Sequence, residues 1–208
     1  MFGLTLLDLC AYLGQAAVGA IAVNLLLGVL IALRYSPVRC WPYRRVNLFA
    51  WHQWTAYLSV VLILSHPAVL LFVHKPHFSW FDVVLPVRSP LQPVVNTVGA
   101  VALYLILLVM GTSLLRHRMS RRVWRNLHYL VYPAVVCLLI HGILADPNLK
   151  TGHPDLLDGG KVYLYGVVLV MIAAGGVRLK LRGRGFRREQ RPVSAEVIAL
   201  EVETEVSA

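Results

Sequence analysis

The chain has 208 residues, 58% of them hydrophobic and only 14% charged, with 20 lysines and arginines against 10 acidic residues and a formal net charge of +10. An ordinary soluble domain carries about a quarter of its residues as charged ones, so this composition excludes one and points to a polytopic membrane protein. A nucleic-acid reading of the basic charge needs base-stacking aromatics or a recognition module, and neither is present; no nucleic-acid partner is expected.

A membrane-crossing helix needs about 20 mostly apolar residues. Five blocks qualify in chain order: Leu4 to Leu33, Leu48 to Val73, Val94 to Leu115, Leu127 to Leu144, and Val162 to Val177. Each is continuously apolar, whereas a spanning β-barrel alternates polarity in segments of about ten residues. The fold expected is therefore an all-α membrane bundle of about five transmembrane helices, occupying residues 1–182. The first block lacks a basic leading region and is too long for a secretory signal. Cys10, Cys40 and Cys137 form no C-x-x-C pair, zinc spacing or haem-attachment motif. Cys10 and Cys40 are expected toward opposite faces, which makes a disulfide between them unfavourable.

The links between blocks set the orientation. Arg34, Arg39, Arg44 and Arg45 separate blocks one and two, and Arg116, Arg118, Arg121, Arg122 and Arg125 separate blocks three and four. Arg178, Lys180, Arg182, Arg184, Arg187, Arg188 and Arg191 follow block five, so sixteen of the twenty basic residues fall on one side. The positive-inside rule places that side in the cytoplasm, with the N-terminus outside and the C-terminus inside. The outer links are "HKPHFSWFDVVLPVRSPLQP", whose Phe78, Trp80 and Phe81 suit the headgroup level, and the polar "ADPNLKTGHPDLLDGG". Residues 183–208 are expected to be a disordered cytoplasmic tail; its "SAEVIALEVETEVSA" alternates like a strand but is too short to fold alone. No G-x-G-x-x-G phosphate-binding motif occurs.

Four histidines lie inside the apolar blocks: His52 and His66 in block two, His128 and His141 in block four. Both blocks run from inside to outside, so His52 and His128 share an inner layer while His66 and His141 share an outer one. At 1.5 Å rise per residue the two layers are separated by about 20 Å. One histidine from each of two facing helices supplies the two axial ligands of a haem iron, and two such layers fit the thickness of the bilayer. Intramembrane ionisable groups are functional by default; proton relay and transition-metal transport are the competing uses, in a non-haem transporter or scaffold. Fourteen residues at about 100° each return His66 to within about 40° of His52, but thirteen leave His141 about 140° from His128. The haem reading therefore requires an irregularity in block four, and Pro133 is positioned to cause one. His117 reads as a solvated residue of a basic link, and His74, His77 and His153 as ordinary residues of the outer loops.

The His-x13-His and His-x12-His pattern, with "RRVWRNLHYLVYPAVVCLLIHGILADP" and "NLFAWHQWTAYLSVVLILSHP", resembles the ferric reductase-like transmembrane domain over residues 5 to 180. That family is the haem b module of ferric reductases, NADPH oxidases and the haem subunit of the bacterial periplasmic methionine sulfoxide reductase system. The resemblance implies two haem b groups, one held by His52 and His128 and the other by His66 and His141. It also implies electron transfer from a cytoplasmic flavoprotein or a quinol to an outside acceptor, either ferric iron or a redox protein, in a multi-pass protein of the bacterial inner membrane. Many members have six helices and a flavin and nicotinamide domain; here five helices and a short tail are expected, so the reducing power has to come from a partner. Arg44, Arg45, Arg121, Arg122 and Arg125 are candidate propionate partners at the inner haem, and Ser65 and Tyr132 candidate acceptors for the ligands' second ring nitrogens.

Overall fold

A computed structural model describes residues 5–33, 47–145 and 157–189, with side chains as far as 181. The helices are α1 (Leu6–Ala32), α2 (Leu48–Ala68), the short α3 (Trp80–Val84), α4 (Pro93–Leu114), α5 (Arg121–His128), α6 (Val131–Leu144) and α7 (Gly159–Glu189). No strand occurs among the described residues. The polar tail from residue 190, Arg44 and Arg45, Cys40 and His153 lie outside them.

Local signals start the helices where the sequence places them. The Thr5 hydroxyl accepts from the Asp8 N–H while the Asp8 carboxylate accepts from the Thr5 N–H, a reciprocal cap on α1. Asn47 caps α2 through the Ala50 N–H, Ser120 caps α5 through the Val123 N–H, and Pro93 opens α4 at a position where its missing N–H costs nothing. Five spans are long and apolar enough to cross a bilayer: Leu6–Ala32, Leu48–Phe72, Pro93–Leu114, Arg121–Leu144 and Gly159–Leu181, with mean hydropathies of 1.9 to 2.2. The fourth and fifth run beyond the expected blocks, because arginine and lysine are good helix formers that extend an apolar helix while carrying their charges to the membrane edge. Large apolar side chains such as Leu64, Val101, Leu108, Leu169 and Ile172 point outward and are exposed. With the spans' hydropathy, that outward apolar surface makes the chain an integral multi-pass membrane protein.

The packing has two matching halves. α1 lies along α2, and α4 lies along α6, while α7 docks on α1 and α6. The centre is an apolar cluster of Ala17, Ile21, Ile63, Ile106 and Ala134, flanked by Leu25, Val60, Leu103, Val135 and Leu138. Two polar ties hold α7 in place: Tyr163 donates to the Gln15 carbonyl at 3.2 Å and Arg178 donates to the Tyr132 hydroxyl at 2.6 Å.

Block four is broken, as its thirteen-residue spacing demands, but the break lies upstream of Pro133. α5 ends at His128, Tyr129 and Leu130 form a turn, and α6 begins at Val131. Pro133 stands in the first turn of α6, where it has no N–H for the Tyr129 carbonyl and its ring crowds that carbonyl. Tyr129 oxygen instead accepts from the Tyr132 N–H at 3.1 Å, and the Leu130 N–H donates to Leu127 at 3.0 Å. These i to i+3 bonds wind the chain by about 120° per residue rather than 100°. The tightening rotates His141 in the direction that closes the angular gap to His128.

Candidate functional site

The site is built from two histidine helices and two helices rich in small residues. α2 presents His52 and His66, and the α5–α6 segment presents His128 and His141. The His52 and His128 rings face each other with centroids 6.5 Å apart and planes at 66°. The His66 and His141 rings do so at 6.1 Å and 76°. A metal–imidazole bond of about 2 Å, plus about 1.1 Å from nitrogen to ring centre, puts the centroids of two imidazoles on opposite sides of one metal about 6.2 Å apart. Both pairs have that separation. Among the described residues no group of three or more His, Cys, Asp or Glu converges as a metal site, so a metal at either level would have two protein ligands and would need the rest of its coordination from another molecule.

Each ring is steered from behind by a helix that carries no histidine. His66 Nδ1 lies 2.7 Å from the Cys10 carbonyl oxygen, His52 Nδ1 3.0 Å from that of Asn24, and His141 Nδ1 2.8 Å from that of Val95. A carbonyl oxygen only accepts, so in all three rings Nδ1 carries the proton and Nε2 keeps its lone pair. None of the four Nε2 atoms has a hydrogen-bond partner among the described residues. His128 differs: its Nδ1 lies 3.4 Å from the Ser113 hydroxyl, which can donate or accept. These partners correct the expectation of Ser65 and Tyr132. Both belong to the histidine segments themselves, whereas the acceptors that are used face the rings from α1 and α4.

Helical carbonyls are ordinarily screened by the side chain one turn on, and here that side chain is missing. Cys10 is followed four residues later by Gly14, Asn24 by Gly28, and Val95 by Gly99. A Cβ at Gly99 would stand 2.8 Å from the His141 ring, at Gly14 3.0 Å from His66, and at Gly28 3.4 Å from His52. The glycines are therefore clefts into which the imidazoles fit, reaching carbonyls that already serve the helix ladder. Gly14 and Gly28 are fourteen apart, as are Gly99 and Ser113, the same interval as His52 and His66. That fourteen-residue repetition of small residues was the sequence signal for these positions. Asn24 was a second signal, being a polar residue deep in an apolar run. Its side-chain amide donates to the His52 carbonyl at 2.5 Å and to the Thr55 hydroxyl at 2.8 Å, fixing the backbone that carries His52.

The levels differ in their surroundings. A cavity of about 420 Å³, within the usual range for small-molecule and cofactor pockets, is lined by His66, His141, Gly14, Gly99, Asn96 and Lys161 among others. Lys161 is 4% exposed, and its ammonium has no hydrogen-bond partner among the described residues. At the level of His52 and His128, Trp124 stacks on His128 with centroids 5.2 Å apart, and its buried indole N–H is likewise without a partner among the described residues. Arg121, Arg122 and Arg125 stand exposed on α5 near His128. Of the remaining histidines, His117 and His74 are exposed, and the Nδ1 atoms of His74 and His77 lie near the adjacent carbonyls of Phe72 and Phe78. Asp82, in the short helix α3, is held below the usual carboxylate range by hydrogen bonds from the Ser79 hydroxyl and N–H.

Residues 16–139 match the family described as ferric reductase like transmembrane component. No curated protein and no solved structure matches the chain.

Proposed function

The chain belongs to the ferric reductase-like transmembrane family, and from that premise we propose that it conducts electrons across the membrane through two haem b groups. His52 and His128 would hold the iron of the inner haem, and His66 and His141 that of the outer one. Family membership points to haem and to transmembrane electron transfer. The observation that carries the finer reading is the pair of ring separations, 6.5 and 6.1 Å, each suited to one iron between two imidazoles. The free Nε2 atoms and the proton-bearing Nδ1 atoms of His52, His66 and His141 support it. So does the Trp124 N–H, which has no partner among the described residues and is a donor of the kind that carboxylates on a porphyrin edge take up.

Haem bound in these positions supplies reversible one-electron chemistry at iron, and with both axial sites filled it favours electron transfer over oxygen binding. The protein's part is positional. The carbonyls of Cys10, Asn24 and Val95 orient the ligand rings and raise their basicity. The apolar cluster between the levels excludes water from the path. The arginine-rich end faces the cytoplasm by the positive-inside rule, where a flavoprotein or a membrane quinol is the donor; the acceptor, ferric iron or a redox protein, lies outside. The host membrane is a bacterial inner membrane.

The test is the reduced-minus-oxidised absorbance spectrum of the purified protein with a pyridine assay of haem. Two haem b per chain with a low-spin bis-histidine spectrum is the expected result. A purified, folded protein without a b-type spectrum would falsify the assignment and return the histidines to metal transport or a structural role.

A further inference from the structure

Lys161 is the least expected residue in the bundle. Lysines near the end of a spanning helix ordinarily extend their stems so that the ammonium reaches water. Lys161 lies in the first turn of α7, yet it is 4% exposed and its ammonium has no hydrogen-bond partner among the described residues. A cation in the first turn also faces the positive end of the helix dipole. Burying an unpaired charge is strongly unfavourable, so a charged ammonium in this position calls for an anion.

Two carboxylates line the same cavity, Asp82 and Asp158, but neither bonds to the ammonium. Asp82 accepts from the hydroxyl and N–H of Ser79, and Asp158 accepts from the Gly160 N–H at 3.3 Å. His66, His141 and Lys161 all line this cavity, so a ligand held between the rings shares it with the lysine. We propose that Lys161 is the counter-cation of a carboxylate in this cavity, and that the carboxylate is a propionate of the haem bound between His66 and His141. The inference rests on the haem reading above and adds to it an anchor for one edge of the outer haem. A positive charge at that edge favours the reduced iron, so Lys161 also sets the outer haem at a higher potential than it would otherwise have.

The experiment compares holoprotein of wild type, Lys161→Met and Lys161→Arg. It is purified from cells fed 5-aminolevulinate labelled with ¹³C at the carboxyl carbon, so that the haem propionates are labelled. Haem content, redox titration and reduced-minus-oxidised infrared spectra are recorded. In Lys161→Met the labelled carboxylate band is expected to shift and the midpoint potential of one haem to fall; Lys161→Arg keeps the band and the potential near wild type. Full haem content in Lys161→Met with an unmoved labelled band and unmoved potentials overturns the inference. A shift confined to unlabelled carboxylate bands overturns it too, because the anion is then a separate small carboxylate. Absence of haem from the wild type is a different outcome, one that removes the haem reading itself.

Discussion

At the scale of single residues, function depends on groups that are absent as much as on those present. Gly14, Gly28 and Gly99 matter because no Cβ separates the imidazoles from the carbonyls behind them. Gly99→Ala places a methyl 2.8 Å from the His141 ring, and overpacking of that kind costs about 1–3 kcal/mol. The expected result is loss of most of the outer haem with the inner one retained, read by the pyridine assay and by the fall in spectral amplitude. Gly111→Ala is the control: nothing lies within 4 Å of its Cβ position, so haem content stays unchanged and stability rises by up to about 1 kcal/mol from helix propensity. Asn24→Leu removes two donors at the His52 turn, an intramembrane loss of about 1–2 kcal/mol. Thermal unfolding in detergent should show that drop together with a weaker hold on the inner haem. The histidines were legible in the sequence because a titratable group in an apolar run stands out. The glycines left only a fourteen-residue interval as a signal, since a glycine in a membrane helix has many uses and only a ring packed against it reveals this one.

At the scale of the helix, the thirteen-residue interval from His128 to His141 was legible as an angular misfit, and the break that answers it is present. Its position was not legible. Proline acts on the carbonyl four residues before it, so the disturbance from Pro133 appears at Tyr129 and Leu130. In Pro133→Ala a restored N–H can bond the Tyr129 carbonyl, the segment straightens, and His141 rotates away from His66. Haem analysis of this variant should show weakened retention of the outer haem with the inner level largely intact; full occupancy of both levels would separate the break from the proline. The helices also form a repeat that residue-by-residue reading does not detect. α1 with α2 and α4 with α6 each pair a small-residue helix with a histidine helix. What the two halves share is an interval of about fourteen residues, not a run of similar side chains.

At the scale of the whole molecule, the two histidine levels bracket one apolar core, and on the proposed reading electron transfer across the membrane uses both. Replacing His66 or His141 by leucine should remove one haem, leave the other with its bis-histidine spectrum, and abolish reduction of an outside acceptor by a cytoplasmic donor in sealed vesicles. Retention of that activity with a single haem would show that the second level is not on the path. The arginines predict the orientation: a reporter fused to the C-terminus should be active only in the cytoplasm, and activity outside would reverse the assignment of inner and outer levels. The sequence by itself determined the spans, the family and the four intramembrane histidines, because hydropathy and charge act on every residue locally and leave a one-dimensional record. Only the tertiary structure decided which carbonyls orient the rings, where block four breaks, and that Lys161 is buried without a partner among the described residues. The carbonyls and the burial of Lys161 depend on helices far apart in the chain meeting at distances of about 3 Å, which no spacing along one helix encodes; the break is local, but which of its bonds tighten is seen only once the segment is folded.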